Sequence, residues 1–186
     1  MAAIVVLPVS GCGGGGDEKD AGEPAAPAAP AAKEGSFKAA DVSFTFQYPH
    51  GFEQVDEPSD GEALASVTPT PDDVNNGLKI RVTAETELPF VSYVAEIRGQ
   101  FEEQLATKVS QREEKRGALD LGILEWEKST TQTDLGEEKT VRLHSTSYFF
   151  QGGGKTWQLE CLSSQDHRSD IDQACDQAIG SIQFPG

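Results

Sequence analysis

After its first dozen positions, this 186-residue chain contains no stretch of 18 apolar residues, so nothing there reads as a membrane-spanning helix. Positive charge is also scarce. Fifteen Lys and Arg face 31 Asp and Glu, a net charge of −16, and such a surface repels nucleic-acid phosphates and anionic headgroups. Binding to nucleic acid is therefore excluded as an expectation. Histidine occurs three times, at His50, His144 and His167, too scattered for a zinc site. There is no Cys-x-x-Cys pair, no Gly-x-Ser-x-Gly and no Ser-x-x-Lys, so neither dithiol redox chemistry nor a familiar hydrolase nucleophile is indicated. Gly152-Gly153-Gly154-Lys155-Thr156 ends like a phosphate-binding loop, but Phe149 stands where that motif needs its first Gly, and the segment reads as a hairpin turn. Asp166, His167, Asp170, Asp172 and Asp176 lack calcium-loop spacing, and acids at a helix start are favoured by the helix dipole. No catalytic residue, metal or cofactor is expected.

What the chain does have begins at its N-terminus. Residues 2–11, AAIVVLPVSG, are apolar and end in small residues, as a secretory signal does. Val9-Ser10-Gly11-Cys12 resembles the bacterial lipobox, an aliphatic residue and two small ones before Cys. The resemblance implies that Cys12 receives a diacylglycerol and becomes the mature N-terminus, so that residues 1–11 are a lipoprotein signal peptide. Such a signal normally opens on Lys or Arg, and the first cation here is Lys19, so the true start codon is expected upstream. Residues 12–35 follow as a tether, four glycines and then Ala-Pro repeats that favour an extended spacer. One acyl chain holds a protein only marginally, whereas two or more anchor it stably, at about 0.8 kcal/mol per buried CH₂. The partner implied for Cys12 is the membrane, and the location is its extracytoplasmic face.

Export implies an oxidising compartment. With Cys12 taken by lipid, Cys161 and Cys175 remain as one possible pair. Trp157, Leu159 and Cys161 alternate on one strand face, while Ile171, Ala174, Cys175, Ala178 and Ile179 fall on one helical stripe. Both thiols point into the same strand–helix interface, which favours a disulfide over two buried free thiols.

Residues 36–186 form the expected globular domain, about 150 residues carrying −13 of the charge, the first 35 having five acids and two lysines. Val42, Phe44, Phe46 and Tyr48 alternate within a hairpin over 36–48. A strand is expected near 63–68, a turn at Asn75-Asn76-Gly77, and a half-buried strand in which Leu78, Ile80, Val82 and Ala84 alternate with Lys79, Arg81 and Thr83. Pro89 suits a first helical position, and Phe90, Val94, Ile97, Phe101 and Leu105 make the clearest amphipathic helix. Gly99 interrupts that helix and is expected where something packs closely. Strands are expected at 121–132, 139–150 and 156–163, with Phe150 facing Trp157 and Tyr148 facing Leu159. Glu113-Glu114-Lys115-Arg116 reads as solvated charge. Ser169 and Asp172 suggest a capping box opening the last helix, and Ser181–Phe184 a short closing strand. Trp126, Tyr93 and Tyr48 could line a cleft, with core the simpler assignment. Hairpin-joined strands with segregated helices indicate an α+β fold. Phe149 and Phe150, on opposite faces of one strand, suggest an antiparallel sheet flanked by helices on both faces.

Two stretches carry a family resemblance. Phe44-Thr45-Phe46-Gln47-Tyr48-Pro49-His50-Gly51-Phe52 and Ser181-Ile182-Gln183-Phe184 resemble the opening and closing segments of PsbP-like α/β/α sandwich proteins, which include LpqN-like lipoproteins of actinobacteria. The resemblance spans residues 36–186. It implies a binding or accessory protein at a membrane and carries no catalytic residue across. The expected function is a membrane-anchored, exported lipoprotein, a non-catalytic module of the cell envelope that binds an unknown envelope protein or small ligand. A carrier of a small apolar or lipid-like ligand is the alternative, and an unrecognised hydrolase the third reading.

Overall fold

In the computed structural model, the structure describes residues 34–56, 63–69, 75–83, 90–105, 107–134 and 137–185. Ala84, Pro89, residues 135 and 136, the signal expected at 1–11 and all but the last two residues of the tether expected at 12–35 lie outside them. No helix among the described residues is long and apolar enough to cross a membrane.

Alternating apolar residues build the strands. Phe37 and Phe46 pair across the short strands β1 (Gly35–Phe37) and β2 (Phe46–Tyr48), which form a small antiparallel sheet. The hairpin expected at 36–48 is thus confined to its ends; Val42 and Phe44 are buried in the connection between the two strands. Seven further strands make the main sheet: β3 (Glu53–Asp56), β4 (Ala65–Thr68), β5 (Gly77–Thr83), β6 (Ser110–Arg116), β7 (Leu119–Asp134), β8 (Glu137–Gly152) and β9 (Lys155–Ser164). Their order is β3-β4-β5-β9-β8-β7-β6, with every neighbour antiparallel. Gly153 and Gly154 turn β8 into β9 with φ of 60° and 76°, the backbone a two-residue hairpin requires. The resulting register sets Phe150 opposite Trp157 and Tyr148 opposite Leu159, as the sequence predicts.

Neighbouring residues of one strand belong to different cores. Phe149 packs with Leu124, Trp126, Val94, Val109 and Leu162, while Phe150 packs with Ile123, Trp157, Leu159 and Phe44. Helix α1 (Phe90–Leu105) supplies Phe90, Val94, Ile97, Phe101 and Leu105 to the first cluster, the stripe read from the sequence. Helix α2 (Arg168–Gly180) supplies Ile171, Ala174, Cys175, Ala178 and Ile179 to the second. Strand β9 gives Cys161 to one cluster and Leu162 to the other, and is buried without interruption from Thr156 to Ser163.

Several expectations are corrected. Ser169 lies inside α2; the N-cap is His167, without a side-chain cap bond, because a 3-10 turn at Gln165–His167 precedes the helix. Ser181–Phe184 is not a strand and makes one bridge, Thr45 to Gln183. Glu113–Arg116 is solvated as expected, but it belongs to edge strand β6, which went unread, as did β3. Gly99 has open space where a Cβ would sit, whereas the close approach falls at Gly122, whose Cβ would meet Val94 Cγ2 at 2.6 Å. The two glycines should therefore respond in opposite directions. Gly99→Ala should stabilise by about 0.5–1 kcal/mol through helix propensity and a smaller unfolded-state entropy. Gly122→Ala should destabilise by roughly 1–3 kcal/mol by overpacking beneath α1. Urea-unfolding midpoints check both signs.

Candidate functional site

The face of the sheet that carries Phe149 turns polar toward β9 and β5. Ser147 sits opposite Glu160, and Glu160 opposite Lys79, one row across three strands. In the next row Gln158 lies between Phe149 and Arg81. Glu160 holds this cluster together. One carboxylate oxygen pairs with Arg81, and the other accepts a hydrogen bond from Ser145 Oγ at 2.9 Å. Gln158 Nε2 donates to Ser147 Oγ at 3.0 Å. Lys79, Gln158 and Glu160 are each less than a tenth exposed. A carboxylate, an ammonium, a guanidinium and hydroxyls thus meet on an internal face. Together they can recognise a polar group, but none of these hydroxyls has an imidazole to activate it. Period-two alternation placed Lys79 and Arg81 on the solvent side of a half-buried strand. Since β5 and β9 are paired on both edges and covered here, that assignment is wrong.

On the α2 side, a cavity of about 300 Å³ lies beside the cysteines. Cys161 and Cys175 are joined in a disulfide, with Cα atoms 6.2 Å apart, within the usual span of such bridges. Here His144 Nε2 lies 3.3 Å from Thr146 Oγ1, and Nδ1 lies 3.5 Å from Glu127 Oε1. Hydroxyl, imidazole and carboxylate stand in series, but Arg168 also approaches Nε2, at 3.4 Å, and both spacings exceed the roughly 2.6–3.2 Å of a working proton relay. Arg168 bonds Glu127 at 2.9 Å, and Arg116 bonds Asp176 at 2.8 Å. Two of the three acids of the last helix therefore find arginines: Asp176 pairs with Arg116, and Asp172 with Arg168 at 3.7 Å. Among the described residues, no three metal-ligating side chains gather in one place. The Tyr148 phenol is held above its ordinary pKa, chiefly by burial, against the opposing pull of the nearby Arg116 guanidinium. Its folded pKa exceeds the unfolded value of about 10, so this contribution to stability is intact below that pH and lost as pH rises through the folded value. An alkaline series of denaturation curves should show the decline, and phenolate absorbance should show one tyrosine ionising late.

A second cavity, of about 600 Å³, is mainly apolar. Val42, Phe44, Phe184 and Pro185 line it, with Lys38 also in its wall. Its size is that of a small-molecule cleft. The aromatic candidates lie elsewhere. Trp126 and Tyr93 pack in the α1 cluster and Tyr48 against the other core, so all three are packing residues. Cys12 lies outside the described residues.

No family model and no curated protein matches this chain. Solved structures do. Cyanobacterial PsbP (CyanoP) from Synechocystis sp. PCC 6803 aligns with a TM-score of 0.56 at 10% identity, covering 83% of this chain and 94% of that one. LpqN of Mycobacterium tuberculosis, described as involved in cell envelope biogenesis, aligns with a TM-score of 0.51 at 13% identity, covering 82% of this chain and 91% of its own. At these identities the likeness is one of fold: a mostly antiparallel sheet with two helices, similar to that of PsbP.

Proposed function

We propose that this chain is an exported lipoprotein held on the extracytoplasmic face of the cell membrane by acyl chains on Cys12. Its domain, a sandwich with one helix over each face of the sheet, serves as a non-catalytic binding or accessory module of the cell envelope. The observation that carries the reading is Val9-Ser10-Gly11-Cys12 followed directly by a Gly and Ala-Pro spacer. Support comes from the fold it shares with LpqN and from the separate clusters of α1 and α2. The pairing of nearly every charged group near His144 favours a binding role over a catalytic one. The test is the intact mass of the protein from native membranes. A chain beginning at Cys12 with a lipid-sized addition is expected, and Cys12→Ser should release the protein into the soluble fraction. An unmodified chain that stays soluble would overturn the anchor.

The apolar cleft of Val42, Phe44 and Phe184 favours the second reading, a carrier of a small apolar or lipid-like ligand. Native mass spectrometry of the membrane-extracted protein separates the two, since a module that only docks proteins should fly as apoprotein.

A further inference from the structure

The apolar cleft beside the closing segment is held open by its surroundings. Thr45 and Gln183 exchange two main-chain bonds, each 2.9 Å, which fix one wall to the other. The Lys38 N–H donates to Gln54 Oε1 at 3.2 Å, and the Lys38 C=O accepts from Gln54 Nε2 at 3.0 Å, so the loop that enters the cleft is clamped as well. Phe44 stands edge-on to Phe150 and Trp157, with ring centroids 5.2 and 5.1 Å away, and cannot swing into the space. Phe184 lies on Gly152, where a Cβ would strike its ring. The volume of about 600 Å³ is therefore preformed, as small-molecule sites usually are.

Two polar side chains in this wall point to an occupant. Among the described residues, Lys38 is the one charged group of the wall, and it makes no ion pair, although the chain carries 31 acids and a net charge of −16. Asp41, in the same loop, is exposed and lies outside the wall. The other side chain is Ser43. Its Oγ is buried and has no hydrogen-bond partner among the described residues. Buried hydroxyls are nearly always paired, so an unpaired one in the wall of a cleft marks where a ligand oxygen belongs. An apolar body, one negative charge and an accepting oxygen are what this wall leaves to be supplied.

We propose that the cleft takes a single-chain amphiphile with one negative charge, of the fatty-acid class. Its hydrocarbon chain would lie on Val42, Phe44 and Phe184. Its carboxylate would meet the Lys38 ammonium, with the Ser43 hydroxyl as a second donor. One ammonium matches one carboxylate, whereas a doubly charged phosphate head would bring its second charge to a surface of net −16 with no further cation in the wall. This rests on the carrier reading and narrows it to one ligand class. It does not depend on the anchor, so the intact-mass measurement and the test below can fail separately.

The test is equilibrium dialysis of the full chain carrying Cys12→Ser, so that no acyl chain of its own competes, against decanoate, decanol and decyl phosphate. Decanoate should bind one per chain, at least tenfold tighter than either of the others. Lys38→Gln should cost decanoate at least tenfold and leave decanol unchanged. Ala40→Trp, which puts an indole in the wall, should abolish decanoate binding. Lys38 and Ala40 are both exposed, and unaltered melting followed by circular dichroism shows that the variants fold. Decanol or decyl phosphate binding as tightly as decanoate would overturn the proposal and leave the carrier reading standing. Binding of none of the three would overturn both. Decanoate binding that survives Ala40→Trp would place the ligand elsewhere and overturn the proposal too.

Discussion

Trp157→Ala should destabilise the domain by about 3–5 kcal/mol, the cost of emptying a fully buried aromatic site. Trp157 is wholly buried at the centre of the core on the α2 side, opposite Phe150 and edge-on to Phe44 at 5.1 Å. Its indole N–H donates to the Gly152 carbonyl at 3.0 Å, tying the ring to the hairpin that positions β9. The alanine variant loses burial, ring contacts and that bond together. For a chain of this size the loss lowers the melting temperature by roughly 6–20 °C, at about 2–4 °C per kcal/mol. Trp157→Phe, which keeps most of the apolar volume, should fall well short of the alanine cost. Urea denaturation followed by circular dichroism gives both numbers. A loss below about 1 kcal/mol for the alanine variant would mean that the core closes over the gap, contrary to the packing described.

The second large effect is on the bridge. Cys161 and Cys175 are 14 residues apart, and closing a loop of that length stabilises by about 3 kcal/mol in the chain-entropy model. The bond ties the middle of β9 to the apolar face of α2, where the buried Ala174 and Ala178 have little side chain to contribute. Reduction, or the double variant Cys161→Ala, Cys175→Ala, should therefore lower the melting temperature by roughly 6–12 °C. The alanine variant, which also empties the two buried sulfur positions, should melt no higher than the reduced protein. A midpoint unmoved by reductant would show that the thiols are unpaired in solution. Trp157→Ala and the double variant share one core, and their costs should not add cleanly.

The periodic elements were legible from the sequence because their burial is one-sided. Phe90 through Leu105 and Ile171 through Ile179 each present a single apolar stripe, and both helices formed where the stripes run. The hairpin at Gly153-Gly154 was legible from its turn chemistry. Strand β6 was not, because Ser110–Arg116 has no apolar residue; it lies at the sheet edge and holds its place by pairing with β7 and through ion pairs of Arg112 and Arg116. The closing segment looked like a strand, but the Ser181 hydroxyl instead bonds the Gln177 carbonyl at the end of α2 and accepts from the Gln47 N–H. The polar cluster around Glu160 was hidden for a different reason. Alternation tells which residues share a face and says nothing about what covers it. Lys79 and Arg81 therefore read as the open side of a half-buried strand when they lie beside Gln158 and Glu160 on an internal face.

The bridge between Thr45 and Gln183 bears on how the protein is made. It joins the first aromatic segment of the domain to nearly its last residues, and the bond from the Gln47 N–H to Ser181 spans 134 positions. At the centre of the sheet, β5 must wait for β9, since Gly77 pairs with Leu162. A chain emerging from its N-terminus can form hairpins and α1 but cannot close either end of the core until its final residues arrive. Contacts of such long range fold slowly, over milliseconds to seconds. A nascent chain therefore stays loose for the whole of its synthesis, the state in which a polypeptide can still be threaded through a narrow pore.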